Sequence, residues 1–338
     1  MSKIFVSLTK EREFTPIMEQ ALQWINWESI VSPGARVFIK PNFTFPFYKP
    51  GVTTSPEIIE TLVRILRERT SRIVIGESDG GARSWKAEDA FQGHDLPRIA
   101  GKYNISLVNL SVTSREWVEL PMQKKKVRIE LPSLLLHETD VFITIPVPKI
   151  HCMTKVSLAL KNQWGCIPGA ENRFRWHSRF DEMICILNGL FRPRLIIGDC
   201  TWMLTGNGPM FGEPLKRDML VVSDHIGAFE LTMLHLMGLE KWRISHLEEA
   251  KRRGMVPTSL SQIAFNTDWR PFRSDQFFLK RTLQNWIALA GFKNRFVTWL
   301  GYESPFARPI HDILYYLKGN PLKEALLQRQ SSKRSKEP

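Results

Sequence analysis

Short apolar runs rich in β-branched residues alternate along the chain with segments in which apolar residues recur at helical spacing. Seven of these runs are predicted to be strands, in chain order KIFVSL, RVFIKPN, RIVIGESD, SLVNLS, DVFITIPVPK, RLIIGDC and DMLVVSD. Helices are predicted at residues 56–68 and 179–190. Thr54 or Ser55 is expected to cap the first helix, because Pro56 suits the first helical position. This alternation predicts an α/β fold, in which a mostly parallel sheet, in one lobe or two, is flanked by helices.

The composition changes near Asp268, because the regular strands stop there and aromatic and basic residues become frequent. We therefore predict three parts along the chain. Residues 1–268 form an α/β core, residues 269–330 form a basic, aromatic, helical C-terminal appendage, and residues 331–338 form a disordered basic tail.

Polar side chains stand at the carboxyl ends of five of the predicted strands. They are Lys40 and Asn42, then Glu77, Ser78 and Asp79, then Lys149 and His151, and finally Asp199 and Asp224. Parallel sheets bind their ligands at the carboxyl ends of the strands. A single polar strand end is commonplace, but five in one chain favour a site at that edge of the sheet.

The segment PKIHCMTKVSLALKNQWGCIPG, at residues 148–169, combines an apolar strand with several reactive side chains. Seven side chains from this segment and from other strand ends are expected to meet in one pocket: Lys40, Asn42, Lys149, His151, Lys161, Asn162 and Asp199. Crowded ammonium groups, which here include Lys155, repel one another unless an anion lies between them. The sequence therefore predicts a site for a small molecule that bears a carboxylate or a phosphate.

The candidate catalytic residues are His151, Lys149, His177 and Asp199. His151 and His177 are candidates for proton transfer, because imidazole titrates near neutral pH without help. Lys149 and Lys161 can pair with an anionic group as point charges, and Asp199 can orient a histidine. The candidate substrate-binding residues are Lys40, Asn42, Thr54, Lys161, Asn162 and Gly208. For any one of them alone, a structural role is the alternative.

The loop TGNGPMFGEP contains Gly206, Gly208 and Gly212. It lacks the GxGxxG spacing, and a proline follows Gly208, so a dinucleotide-binding fingerprint is not supported. Two interpretations stay open, namely tight turns that need a positive φ or a loop that contacts the ligand.

The sequence contains four cysteines, Cys152, Cys166, Cys185 and Cys200. Zinc and cluster sites normally include a close pair of cysteines, so an iron–sulfur cluster is not expected. A divalent metal stays open, with Asp199, Asp224, Cys152 and Cys166 as candidate ligands. The N-terminus is expected to be a first strand and not a secretory leader. Together with the cysteine spacing, this predicts reduced thiols and a cytoplasmic location.

The formal net charge of +13 is unevenly distributed and suggests an anionic partner. Residues 270–338 contain 13 Lys and Arg against 5 Asp and Glu, which is +8. Residues 277–302 are expected to form an amphipathic helix in which aromatic side chains alternate with Lys280, Arg281, Lys293 and Arg295. These charges interrupt the apolar residues too often for a helix that spans a bilayer.

Three interpretations of residues 277–302 are open. The segment is a structural cover on the core, a weak contact with an anionic membrane surface, or a nucleic-acid-binding surface. No nucleic-acid-binding motif supports the last of these. We expect the exposed face of the segment to bind anionic membranes weakly, which would place the protein peripherally at a membrane.

Eight motifs occur in a fixed order over residues 36–253: IKPNF, TTSPEIIETLV, IVIGESD, PVPKIH, LALKNQWGCIPG, RWH, RPRLIIGDCTWMLTGNGPMFGEP and VVSD. In this order they resemble domain-of-unknown-function family 362. The resemblance implies that Lys149 and His151, together with the loop that begins at Lys161 and Asn162, form a site. Many members of that family add a ferredoxin-like module with clustered CxxCxxC ligands, and this chain has no such cluster. A looser similarity in layout to the nickel-dependent lactate racemases suggests a small organic acid, without a match close enough to carry over a cofactor.

The predicted function is therefore that of an enzyme of unknown reaction class, acting on an anionic small molecule through a Lys/His/Asp site. The alternative is a metal- or iron–sulfur-linked redox or binding protein without catalysis of its own.

Overall fold

The computed structural model describes residues 1–9, 14–81, 85–122, 125–302, 304–306, 309–310 and 313. Within these residues the strands are β1 (Ser2–Leu8), β2 (Val37–Pro41), β3 (Ile73–Glu77), β4 (Ser106–Asn109), β5 (Arg115–Met122), β6 (Lys125–Pro132), β7 (Val141–Ile145), β8 (Lys149–His151), β9 (Lys155–Ser157), β10 (Leu195–Thr205), β11 (Glu213–Ser223) and β12 (Ile263–Phe265). The helices are α1 (Phe14–Trp24), α2 (Pro56–Leu66), α3 (Ala87–Gly93), α4 (Leu96–Tyr103), α5 (Ser133–His137), α6 (Ala159–Asn162), α7 (Ala170–Arg175), α8 (Phe180–Phe191), α9 (Ile226–Leu236), α10 (Ser245–Arg252), α11 (Leu283–Lys293) and α12 (Arg295–Tyr302). Each of the seven predicted runs forms a strand, and the two predicted helices are α2 and α8.

Ten of the described strands form one mixed sheet. Its order is β12–β1–β11–β10–β7–β2–β3–β4, while β8 pairs with the far end of β10 and β9 pairs with β8. The neighbours from β10 to β4 are parallel, as are β1 and β12. Only β11, antiparallel to β1 and β10, and β9, antiparallel to β8, break this pattern in the described sheet. The sheet is mostly parallel and flanked by helices, which confirms the predicted α/β fold.

Both faces of the sheet are buried, which explains why its strands are nearly uninterrupted apolar runs. On one face, Phe38 of β2 packs against Phe142 of β7 with 5.1 Å between the ring centroids, in a core that also includes α8 and α9. On the other face, Val37 and Ile39 of β2 pack in a second core with α1 and α2. Because the strand interiors are filled in this way, polar chemistry is left to the strand ends.

Helix α2 begins at the carboxyl edge of the sheet. The Ser55 hydroxyl accepts a hydrogen bond from the Ile58 amide at 3.3 Å, and Pro56 occupies the first helical position. Ser55 is therefore the cap. The Thr54 hydroxyl instead donates to the Ile145 carbonyl at 2.8 Å and accepts from the Asn42 amide at 2.8 Å.

Strand β11 corrects one part of the sequence prediction. Because β11 runs antiparallel to its neighbours, its carboxyl end lies at the opposite edge of the sheet from those of β2, β3 and β7. There Asp224 accepts a hydrogen bond from the Lys3 amide at 2.8 Å. Asp199 is not at a strand end either, because β10 continues past it to Thr205. Asp224 and Asp199 therefore lie too far apart to share a site.

Strands β5 and β6 form a separate two-stranded sheet that was not predicted. Its inner face buries Leu120, Met122, Ile129 and Leu131 in the first core. Its outer residues are mostly charged, so the hairpin resembles a polar loop in the sequence.

The C-terminal segment differs from the single predicted helix. Phe277 is buried, and the chain then runs extended beside the β10–β11 loop, where the Lys280 amide donates to the Gly206 carbonyl at 3.1 Å. Two short helices, α11 and α12, follow. Helix α11 contacts the turn at His177–Arg179, and α12 contacts α7. The predicted tail at residues 331–338 lies outside the described residues, and no helix among the described residues is long and apolar enough to cross a membrane.

Candidate functional site

A cavity of about 220 Å³ lies at the carboxyl ends of β2 and β3, under α6, α7 and the β10–β11 loop. Six of the predicted site residues line it: Lys40, Asn42, His151, Lys161, Asn162 and His177. Four others, Lys149, Asp199, Thr54 and Gly208, lie outside its lining. The structure thus brings most of the predicted set together and places the rest in the layer behind it.

Lys40 and Glu77 form a buried ion pair in the cavity wall. The distance between Lys40 Nζ and Glu77 Oε2 is 2.6 Å, and Nζ also donates to the Pro41 carbonyl at 2.7 Å. The Glu77 carboxylate accepts from the Ser78 amide at 3.0 Å and from the Phe43 amide at 3.2 Å. The Lys40 charge is therefore balanced within the protein and is not available for a ligand.

Gly165 explains the glycine of the KN-x-x-G motif. A Cβ atom at this position would lie 2.9 Å from Glu77 Oε1 and 3.1 Å from Lys40 Nζ. Only glycine lets the backbone approach the ion pair so closely. Position 208 also requires a glycine, because a Cβ there would lie 2.0 Å from the Ile150 carbonyl oxygen. Gly208 is a packing residue here, and its neighbours Pro209 and Met210 line the cavity instead.

Lys149 lies behind the cavity wall and is fully buried. Its Nζ donates to Asn42 Oδ1 at 3.0 Å and to the Val52 carbonyl. Burial lowers the pKa of Lys149 well below its ordinary value; the Lys161 charge lowers it further, and Asp199 opposes this shift. Lys149 therefore holds Asn42 in place from outside the cavity lining.

A chain of buried amide groups extends from the cavity into the core. Asn42 Nδ2 donates to Asn162 Oδ1 at 3.0 Å, and Asn162 Nδ2 donates to Thr144 Oγ1 at 2.9 Å. Thr144 Oγ1 donates to Gln163 Oε1 at 3.0 Å, and Gln163 Nε2 donates to Asn188 Oδ1 at 2.6 Å. A buried polar network with its partners satisfied is rigid, so Asn42 and Asn162 present fixed side chains to the cavity.

The His151 ring is neutral, and its hydrogen is on Nε2, because Nδ1 accepts hydrogen bonds from the turn that follows the residue. Its Nδ1 accepts from the Met153 amide at 3.1 Å and from the Thr154 amide at 3.4 Å, so Nε2 carries the hydrogen of the neutral ring. Burial, followed by the positive charges of Lys161 and Lys149, lowers the pKa of His151 well below its ordinary value.

His177 has the opposite arrangement. Its Nδ1 lies 3.0 Å from the Arg173 carbonyl oxygen, so Nδ1 is the donor and Nε2 keeps its lone pair. Burial lowers the pKa of His177 to about 4. The ring stacks on Phe174 with 5.0 Å between the centroids. The cavity is thus lined by one imidazole with an N–H donor and another with an unprotonated nitrogen.

Lys161 differs from the other lysines of the site. It lines the cavity and is partly exposed to it, and its Nζ lies 5.8 Å from the centroid of the Phe180 ring. Among the described residues it has no hydrogen-bond acceptor and no carboxylate partner. Desolvation of its ammonium group by burial lowers the pKa of Lys161 to about 8. Lys155, by contrast, bonds to the Arg243 carbonyl at 2.7 Å outside the cavity.

Arg173 contributes to the site and was not predicted. Its guanidinium donates to Ser78 Oγ at 2.9 Å, to the Ile167 carbonyl at 3.1 Å and to the Asp79 carbonyl. These bonds tie α7 to the end of β3 and close that side of the cavity. The polar residues at the end of β3 were visible in the sequence, but nothing in the sequence linked them to an arginine almost a hundred residues away.

Asp199 lies behind the site, where it accepts from the Ser55 amide at 2.8 Å and from the Thr201 amide at 3.3 Å. Burial raises its pKa to about 6. This carboxylate supports the start of α2 and does not contact either histidine of the cavity.

The candidate metal ligands do not form a centre. Asp199 lies within β10 behind the cavity, Asp224 lies at the opposite edge of the sheet, and neither Cys152 nor Cys166 lines the cavity. Among the described residues, no group of three or more His, Cys, Asp and Glu is arranged to hold a metal ion. Burial raises the pKa of Cys166 to about 12, so this thiol is protonated at neutral pH.

The fold and site define an α/β protein with a lysine- and histidine-lined cavity at the carboxyl edge of a mixed sheet. The family model described as "Domain of unknown function (DUF362)" matches residues 37–235, which include the strands and loops that build the cavity. The chain belongs to this family.

A similar protein is the thylakoid-associated protein sll1697 of Synechocystis, which is 26% identical in an alignment 249 residues long that covers 68% of this chain and 72% of the relative. Among solved structures, the lactate racemase apoprotein from Thermoanaerobacterium thermosaccharolyticum is 13% identical and covers 59% of this chain with a TM-score of 0.41. A protein from Thermotoga maritima is 13% identical and covers 57% with a TM-score of 0.33. The matches span 50% and 52% of those two chains.

The buried ion pair of the wall leads to a stability prediction. Lys40→Met should lower the free energy of unfolding by about 3–5 kcal/mol, because the Glu77 charge is left buried without its partner. The double variant Lys40→Met/Glu77→Gln should recover part of that loss, because the buried charge is gone. Denaturant unfolding of the purified variants measures both effects.

The matched control is Lys126→Met, which removes an exposed ion pair in which Lys126 Nζ lies 2.8 Å from Glu119 Oε2. It should change the free energy of unfolding by less than about 1 kcal/mol. Equal losses in Lys40→Met and Lys126→Met would contradict the role given to the buried pair.

Proposed function

We propose that the cavity binds a small molecule bearing a carboxylate or a phosphate, and that the protein is an enzyme in which His151 and His177 take part in proton transfer. The observation that carries this proposal is the Lys161 ammonium, which lines the cavity without a carboxylate partner among the described residues. The protein around it makes its charge costly, as the lowered pKa of Lys161 indicates. A bound anion would remove that cost.

The charge balance of the wall supports an anionic ligand. Lys40 is neutralised by Glu77 at 2.6 Å, and both His151 and His177 are neutral at pH 7 because burial lowers their pKa values. Lys161 is then a cation of the cavity wall for which the described residues provide no carboxylate partner. An opposite charge a few ångströms away in a poorly solvated site interacts with it far more strongly than in bulk water.

The histidines supply complementary roles. The Nε2–H of His151 can donate a hydrogen bond to an oxygen of the ligand, while Nε2 of His177 is an acceptor for a proton. A volume of about 220 Å³ is smaller than typical drug-sized pockets, which favours a ligand of few non-hydrogen atoms. The alternative, a metal- or cluster-linked redox protein, has no ligand set among the described residues to support it.

Ligand-dependent thermal stability tests the site directly. Acetate, malonate, pyruvate and inorganic phosphate are the probes, and at least one should raise the melting temperature of the wild-type protein. Lys161→Met should abolish that increase while leaving the ligand-free melting temperature nearly unchanged, because Nζ has no hydrogen-bond acceptor among the described residues that the variant would lose.

The matched control is Lys155→Met, since Lys155 lies outside the cavity and bonds to the Arg243 carbonyl. It should keep the full response to the ligand. If no probe stabilises the wild type, or if Lys161→Met lowers the ligand-free melting temperature as much as a core substitution does, the proposal is wrong.

We also propose that the C-terminal helices bind weakly to an anionic membrane surface. Trp286 of α11 is 53% exposed, and Phe296 and Trp299 of α12 are 65% and 45% exposed. Residues 277–302 carry four basic residues and no acidic one. Exposed aromatic rings among basic residues match a surface of negatively charged headgroups, in which tryptophan favours the interface. The relative sll1697 is named as thylakoid-associated, which agrees with this proposal.

The C-terminal helices α11 and α12 contact two segments that contribute residues to the cavity. Helix α12 contacts α7, which holds Arg173, and α11 contacts the turn that begins at His177. Arg281 joins the two regions, because its Nε donates to the Cys152 carbonyl at 2.6 Å and its guanidinium lies 4.8 Å from the Trp286 ring. Helices α11 and α12 therefore adjoin the segments that carry Arg173 and His177 of the cavity.

Co-sedimentation with vesicles tests the membrane surface. The wild-type protein should bind phosphatidylserine-containing vesicles, should not bind pure phosphatidylcholine vesicles, and should dissociate as salt is raised. Lys280→Gln should weaken binding about fivefold, the equivalent of about 1 kcal/mol for one basic residue. Trp286→Ser/Trp299→Ser should weaken it further.

Trp117→Ser is the control for this experiment, because Trp117 of β5 is 51% exposed on another part of the surface. It should leave vesicle binding unchanged. Equal binding by the double tryptophan variant, or retention on single-stranded DNA without any vesicle binding, would overturn the assignment.

A further inference from the structure

We propose that Lys161 is a nucleophile that forms an imine with the carbonyl carbon of a small 2-oxo carboxylate held in the cavity. This inference rests on the proposed function, because it assigns a substrate class to the same site. Its geometric basis is an amine that lines a small cavity, has no acceptor among the described residues, and shares that cavity with two imidazoles of opposite hydrogen-bonding polarity.

The other two lysines of the region are excluded by their contacts. Lys40 Nζ is hydrogen-bonded to Glu77 and to the Pro41 carbonyl, so it is held as an ammonium group. Lys149 Nζ is hydrogen-bonded to Asn42 and Val52 and lies outside the cavity lining. A nucleophilic amine needs a free lone pair and an open approach, and Lys161 alone of these three has the open approach.

The surroundings of Lys161 also favour the neutral amine. The Phe180 ring lies 5.8 Å from Nζ, and Trp164 lines the same cavity. An amine desolvated beside aromatic rings is activated as a nucleophile. With the pKa of Lys161 lowered to about 8, about one molecule in ten carries the free amine at pH 7.

The reaction balances without an oxidant or a reductant. The amine nitrogen attacks the carbonyl carbon to form a C–N bond, and the carbonyl oxygen takes up a proton. The resulting carbinolamine then loses its C–O bond. The carbonyl oxygen leaves with the two hydrogens of the original amine as water, and an imine is left. The His151 Nε2–H can stabilise the developing oxyanion, and His177 Nε2 can accept and return the proton that moves from nitrogen to oxygen.

A carboxylate beside the carbonyl suits this site. Protonation of the imine places a positive charge at the position that the Lys161 ammonium had, so the ligand carboxylate stays paired through the reaction. A volume of about 220 Å³ is large enough to hold a short 2-oxo acid.

Reductive trapping tests the inference. The protein is incubated with pyruvate, sodium borohydride is added, and the modified residue is located by peptide mass spectrometry. The expected result is one stable adduct on Lys161 that is suppressed by malonate, which carries carboxylates but no ketone. The Lys161→Arg variant should give no adduct, and Lys155→Arg should give the wild-type amount.

Failure of this inference is distinguishable from failure of the proposed function. If malonate raises the melting temperature through Lys161 but pyruvate leaves no adduct, the site binds anions and the imine is ruled out. An adduct spread over surface lysines, or one that persists in Lys161→Arg, also rules it out. If no carboxylate or phosphate affects the melting temperature and nothing is trapped, the anion site itself is wrong.

Discussion

Burial of lysine side chains at the carboxyl ends of the parallel strands is the constraint on which the rest of the site depends. Lys40 and Lys149 are both fully inside the protein, and each has to find hydrogen-bond partners there because an unpartnered buried polar or charged group is strongly destabilising. Lys40 is balanced by Glu77, and Lys149 is held by the Asn42 amide oxygen and a backbone carbonyl. These bonds fix the amide network and the approach of Gly165. Lys161, which lines the cavity, has no such hydrogen-bond or carboxylate partner among the described residues.

The strands of the parallel region could be predicted because they are buried on both faces and so appear as short β-branched runs. The location of the site followed from the same pattern, since residues such as Lys40 and His151 had to stand where the runs stop. The family motif then pointed to Lys161 and Asn162 in one loop. The buried interior of a strand holds apolar side chains, so polar functional side chains are confined to the strand ends. Strand ends can be located from a short stretch of sequence, without knowledge of distant contacts.

What the sequence could not provide depends on distant contacts. The direction of β11 is set by the hairpin that leads into it and not by its own residues, so Asp224 was placed at the wrong edge. Lys149 and Lys161 are the same residue type twelve positions apart, and only the contact of Lys149 with Asn42 and Val52 removes it from the cavity. Arg173 is bound to the end of β3 by hydrogen bonds between segments far apart in the chain, for which a single sequence carries no signal.

Lys161 is a desolvated amine with no carboxylate partner among the described residues, and its titration tests this most directly. Nuclear magnetic resonance of protein labelled with 13C at the lysine Cε position can follow the titration, with the Lys161 signal assigned by its absence in Lys161→Arg. We expect this signal to titrate near pH 8, well below the ordinary lysine value of 10.5, and we expect bound malonate to move its titration upward. A midpoint above pH 10 in the free protein, unchanged by malonate, would show that Lys161 is an ordinary solvated lysine.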